Sequence, residues 1–129
     1  MGGNGTASVH GSVLNKEYVS LGSYNDPVFG EIEIIEWAKG DQNKMPTESN
    51  SAPRMYASFY KDGSGINEIA KYGNDHKKIW AIHPIPHKSI KGPHIHDWHD
   101  GKVGKVSPLA INDTRYALLK RLETFYKSR

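Results

Sequence analysis

Histidines are concentrated in one part of this chain. Six of the seven lie between His76 and His99, a window of 24 residues. Two of them, His94 and His96, are separated by a single residue and directly follow Gly92-Pro93. Because residues two apart in a strand point to the same face, about 7 Å from each other, the two imidazoles face the same way if this segment is extended. The spacing predicts a site built around this pair.

One chemistry open to such a cluster is acid–base catalysis without a metal. Imidazole titrates near neutrality, so one histidine accepts a proton while another donates one. RNA cleavage needs this combination, with a base for the 2′-hydroxyl and an acid for the leaving 5′-oxygen. A nearby lysine would bind the phosphate and stabilise its developing charge. The catalytic candidates are His83, His87, His94 and His96, and the phosphate-binding candidates are Lys88 and Lys91.

The other chemistry is a metal site. Zinc takes three or four protein ligands, and a His-x-His pair on a strand plus a third histidine is a workable arrangement. Because the chain has no cysteine, the candidate ligands are His94, His96 and either His83 or His87, with Asp97 or His99 as further candidates. The alternative ligand set that we carry forward is His83, His94 and His96. The leading interpretation therefore needs no cofactor, and the alternative needs zinc. A solvated histidine-rich loop without a function is also open.

The composition limits the classes of protein to consider. The absence of cysteine excludes disulfide scaffolds, thiolate metal sites and cysteine nucleophiles. No apolar run approaches the ~20 residues of a membrane span, which predicts a cytoplasmic protein. Residues 102–129 carry seven basic and two acidic side chains, within a chain of net charge +3. This basic segment indicates either a polyanion partner such as RNA or a solvated helix face.

Alternating apolar residues predict the strands that must position the histidines. Residues 31–37 alternate and then change parity at Ile34-Ile35, which indicates a strand with a bulge. Residues 54–60, 66–72 and 78–83 are separated by turn sequences at Asp62-Gly63 and at residues 73–75. They predict a three-stranded antiparallel meander that ends at His83. The polar stretch from residue 39 to 53 is predicted to be a loop.

The C-terminal segment has helical periodicity instead. Leucine and aromatic residues recur at spacings of three and four, which predicts a helix over residues 113–127 with Asn112 as its N-cap. The predicted fold is α+β: an antiparallel meander of about four strands packed by a C-terminal helix. Residues 1–16 are predicted to form a flexible Gly/Ser-rich arm, and residues 17–129 a single domain.

The sequence His83-Pro84-Ile85-Pro86-His87, followed by Gly92-Pro93-His94-Ile95-His96, resembles a motif of short phage and prophage proteins of Gram-positive bacteria. It is also similar to toxin-like modules of the barnase, EndoU, colicin and RelE class. The resemblance implies a meander with a closing helix, RNA cleavage in a bacterial host cell, and a phage-protein or immunity partner.

These observations leave three functions to compare. The leading prediction is a metal-independent endoribonuclease of phage or toxin type. The alternative is a non-enzymatic phage morphogenesis or host-interaction protein with a histidine-rich metal site. The third is a nucleic-acid-binding module without chemistry.

Overall fold

The computed structural model describes residues 18–46, 49, 54–86 and 90–129. The predicted N-terminal arm, residues 1–16, lies outside this part of the chain. The elements are β1 (Tyr18–Asp26), β2 (Gly30–Trp37), β3 (Arg54–Phe59), β4 (Ile66–Tyr72), β5 (Lys78–His83), β6 (His94–His99), β7 (Lys102–Pro108) and α1 (Thr114–Lys127).

The seven strands form one sheet in chain order, and α1 packs on one of its faces. All neighbouring strands are antiparallel except β2 and β3, which are parallel. The α+β class and the β3–β4–β5 meander are therefore confirmed. The predicted number of about four strands is wrong. The edge strands β1 and β7 are mostly exposed, so their sequences lack the clear apolar alternation by which the meander was predicted.

Both faces of the sheet are covered in its centre. On the face called here the helix face, strand residues including Ile32, Ile69 and Ile82 pack with Leu118 and Leu122 of α1. Helix α1 has 14 residues. Among the described residues, no helix is long and apolar enough to cross a membrane.

The opposite face is called the second face. Its centre is a cluster that includes Ile35, Tyr56 and Tyr72. The described part of the segment between β2 and β3 covers this cluster, and the Tyr72 hydroxyl donates a hydrogen bond to the Pro46 carbonyl. A parallel strand pair needs such a crossover connection. The histidines lie on the same face of the sheet, at the β5–β6 end.

Two local predictions are corrected by the structure. The extra residue of the bulge lies in β1, between Ser20 and Gly22, and not in β2. In β2, Ile34 packs on the helix face and Ile35 on the second face. The apolar pattern changes parity at these residues because both faces of β2 are buried. The N-cap of α1 is Asp113 instead of Asn112, because the Asp113 carboxylate accepts from the backbone N–H of Arg115.

One ion pair fixes α1 to the edge strand β1, on the side of the sheet away from β7. The Arg121 guanidinium donates to both carboxylate oxygens of Asp26, at 2.8 and 2.9 Å. Asp26 also accepts from the backbone N–H groups of Val28 and Phe29 in the β1–β2 turn and from the Tyr24 hydroxyl. The carboxylate thus joins a turn, a strand and the helix.

Candidate metal centre at three histidines

The register between β5 and β6 brings three histidines together. His83 lies opposite His94, and Ala81 lies opposite His96. The neighbouring residues Ile82 and Ile95 pack on the helix face, so alternation places the three imidazoles on the second face. The prediction that the His-x-His pair points one way is confirmed, with ring centroids 5.0 Å apart.

The three rings form a tight triangle. The His83 ring is stacked on His94, with centroids 5.4 Å apart, and its centroid lies 4.3 Å from that of His96. One ring nitrogen from each of the three side chains lies within 4.8 Å of the other two. Within the described chain, the group of potential metal ligands that converges consists of His83, His94 and His96. This is the alternative ligand set that the sequence predicted.

Burial makes the triangle asymmetric. His94 is 1% exposed, and the Nε2 atoms of both His94 and His96 are shielded from solvent. The side chain of His83, by contrast, is 32% exposed. Solvent therefore reaches the cluster on the His83 side, and His94 forms its floor.

The environment keeps His83 uncharged at neutral pH. Burial lowers the pKa of His83 to about 4, against the opposing effect of the Glu68 carboxylate, and electrostatic interaction with the neighbouring His96, His94 and Lys78 lowers it further. A neutral imidazole has a ring nitrogen with an available lone pair. His83 thus has a ring nitrogen free of a proton and available to a metal at pH 7, and it is not a proton donor there.

A buried ion pair borders the cluster. Oε1 of Glu68 lies 3.5 Å from Nε2 of His83, and its Oε2 accepts a 2.8 Å hydrogen bond from Nζ of Lys78. Both side chains are less than 10% exposed. The Lys78 ammonium also lies 4.6 Å above the ring of Trp98. Sequence reasoning missed Glu68 and Lys78. A sign of this pair was present in the sequence: an acidic and a basic residue lie in two neighbouring predicted strands that are otherwise rich in apolar residues.

The remaining predicted site residues are not part of this arrangement as described. His87 and Lys88 lie outside the described residues, and Lys91 is exposed in the loop before β6. The basic helix α1 lies on the opposite face of the sheet from the histidines. There Arg115 pairs with Asp113 and Arg121 with Asp26. The positive charge of α1 is therefore separated from the cluster by the thickness of the sheet.

Comparison with protein-family models, with curated proteins and with solved structures finds no match to this chain. The phage and toxin resemblance stays a prediction, carried by the Pro-His-x-His sequence.

Proposed function

We propose that this protein binds one divalent transition-metal ion, such as zinc, through His83, His94 and His96. The observation that carries the proposal is the convergence of three ring nitrogens within 4.8 Å of one another. Imidazole nitrogen is a preferred ligand of zinc, copper, nickel and iron. The lone pair of a neutral His83 adds to the fit, because protons do not compete for it at pH 7.

The cluster needs little change to hold an ion. Zn–N bonds of about 2.0–2.1 Å in a tetrahedron place the nitrogens roughly 3.3 Å apart. The rings must therefore approach by at most roughly 1.5 Å, which is within reach of small rotations about their side-chain bonds. His94 is buried against the sheet and His83 is in contact with solvent. The fourth coordination position would therefore lie on the solvent side of the cluster.

Three histidines with an open fourth position are typical of catalytic rather than structural zinc sites, which are closed by four protein ligands. An ion held there by His83, His94 and His96 would polarise a bound carbonyl or phosphoryl oxygen and would lower the pKa of a bound water molecule. The protein side chains would fix the coordination geometry and limit the approach of solvent. Metal-assisted hydrolysis is the reaction class that this arrangement favours.

A second proposal is RNA cleavage without a metal, the activity that the sequence predicted first. The specific observation in its favour is the proximity of the Glu68 carboxylate to His83 Nε2, at 3.5 Å. A carboxylate beside an imidazole orients a general base, and His96 is the adjacent ring for a second proton transfer. His83 is unprotonated at pH 7, because burial lowers its pKa to about 4, and a base must start in that form.

Metal titration of tag-free protein tests the first proposal. We expect one equivalent of Zn²⁺ or Co²⁺ per chain by calorimetry, and at least a tenfold loss of affinity in His83→Ala and His96→Ala. His99→Ala is the matched control, because His99 is an exposed histidine of the same strand and should bind as the parent does. Equal affinity in all four proteins would refute the proposal.

An RNA assay separates the two proposals. Cleavage of labelled RNA that persists in excess chelator, and is lost in His83→Ala, supports the metal-free reaction. Cleavage that stops in chelator and returns with Zn²⁺ supports the metal centre as the catalyst.

A further inference from the structure

Glu68 borders the three-histidine group without belonging to it, and its carboxylate is already engaged. Its carboxylate is buried, 3.5 Å from His83 on one side and hydrogen-bonded to Lys78 on the other. Carboxylate oxygen is a common zinc ligand, with bonds of about 2.0–2.2 Å. A shift of this side chain toward the cluster would fill the open position and turn it into a closed site.

Lys78 opposes that shift. Its side chain is 4% exposed, so its ammonium obtains little compensation from water. Two contacts take the place of water around the ammonium: the Coulomb attraction to Glu68 and the face of the Trp98 ring. If Glu68 moved onto a metal, a buried ammonium would lose its carboxylate partner, which is strongly unfavourable.

The same ion pair sets the charge at the cluster. Imidazole binds a metal as a neutral ligand, so three of them leave the charge of a divalent ion uncompensated, and the Glu68 and Lys78 charges cancel each other. A site with three neutral ligands and a free position attracts an anion. Had Glu68 been a ligand, one of the two positive charges would be neutralised and the position occupied.

We propose that Lys78, by holding Glu68 in an ion pair, keeps the three-histidine centre open for an exchangeable anionic ligand. This inference rests on the proposed metal site and adds to it both a positioning residue and the charge class of the ligand. Lys78 would act through Glu68, to which its Nζ donates, and not as a ligand of the ion.

Cobalt-loaded protein and azide, a small anion, provide the test. In the parent protein, azide should change the visible absorption bands of Co²⁺ in a saturable way. In Lys78→Met, Glu68 is released onto the metal, and we expect azide affinity to fall at least tenfold while Co²⁺ remains bound. The double variant Lys78→Met/Glu68→Gln should regain the azide response, since an amide does not replace the carboxylate as an anionic ligand.

The outcomes separate the inference from the proposed function. Failure of the parent to bind Co²⁺ would refute the metal site, and the inference with it. Binding of Co²⁺ with the same azide midpoint in the parent and Lys78→Met would refute the inference alone. If Lys78→Met does not fold, a crystal structure of the zinc-loaded parent decides the question. A Glu68 oxygen about 2.0–2.2 Å from zinc would overturn the inference, and a carboxylate still bound to Lys78 would support it.

Discussion

The imidazole of His83 is stacked on that of His94, with 18° between the ring planes and 5.4 Å between the centroids. The two residues are directly paired across β5 and β6, so the backbone register itself holds the rings side by side. His94 is the inner ring of the pair and His83 the outer one. This difference in depth predicts different consequences when each member of the cluster is removed.

His96→Ala should separate metal binding from folding. His96 as a whole residue is only partly buried, so its loss should change the free energy of unfolding of the metal-free protein by less than about 1 kcal/mol. Zn²⁺ affinity should fall at least tenfold, and any metal-free RNA cleavage by roughly 10² to 10⁴. Urea unfolding, calorimetry and the RNA assay measure these. A variant that retains the affinity and activity of the parent would place the site elsewhere.

His94→Ala should affect folding as well. Because His94 is almost fully buried, truncation leaves a cavity beneath the cluster and should cost about 2–4 kcal/mol in the metal-free protein. The same urea experiment, run beside His96→Ala, gives the comparison. Equal stability of the two variants would contradict the depth assigned to the two rings.

Bound metal should stabilise the folded protein by mass action. At free Zn²⁺ a hundred times the dissociation constant, the gain is about 2.7 kcal/mol, or roughly 10 °C in Tm for a domain of this size. Differential scanning fluorimetry with and without Zn²⁺ measures it, and His99→Ala should show the same rise. A Tm that does not change with Zn²⁺ would oppose a specific site in the folded state.

Stability at acid pH should depend on Asp26. Burial raises the pKa of its carboxyl, but hydrogen bonds from Arg121 and from the backbone of Phe29 and Val28 outweigh that effect and leave the pKa well below the usual range. A lowered pKa in the folded state means that the stabilisation is complete above the pKa of an unfolded aspartate, about 3.9. It is lost progressively as the pH falls below that value.

Asp26→Asn tests this pH dependence. It should lower the free energy of unfolding at pH 7 by about 2–3 kcal/mol, since hydrogen bonds to a charged acceptor are removed. Its stability should then vary less than that of the parent between pH 4 and pH 2. Glu123→Gln is the control, because the Lys120–Glu123 pair is exposed and should contribute little. Parallel pH profiles for the parent and Asp26→Asn would exclude the assigned role.

The position of α1 yields a prediction for RNA binding, if RNA is the ligand. Lys102 and Lys105 belong to β7, which pairs with β6 beside the histidines, whereas Lys120 and Lys127 lie on α1. Replacing the β7 pair with alanine should weaken RNA binding and lower the salt slope by about one unit for each phosphate group that a lysine no longer binds. Replacing the α1 pair should have a smaller effect. Fluorescence anisotropy at several salt concentrations measures both, and the reverse order would place the RNA on the helix face.

Local patterns predicted the parts of this protein in which side chains alternate strongly. The meander of β3, β4 and β5 was predicted nearly to the residue, because each strand is bounded by turn residues and each buries apolar side chains. The common direction of His94 and His96 followed from the two-residue period of a strand. The edge strands β1 and β7 were missed because they bury too little to show a pattern.

The sequence by itself determined the α+β class, the meander and the C-terminal helix, since propensity and periodicity are local properties. Its assignment of a site to His83, His87, His94 and His96 stays a prediction. Only the tertiary structure decided that His83 meets His94 and His96, because the pairing depends on the register of two strands separated by a loop. It alone brought the charges of Glu68 and Lys78 together beside His83. It also placed α1 on the other face of the sheet, because its apolar stripe must be buried where the strands present isoleucines.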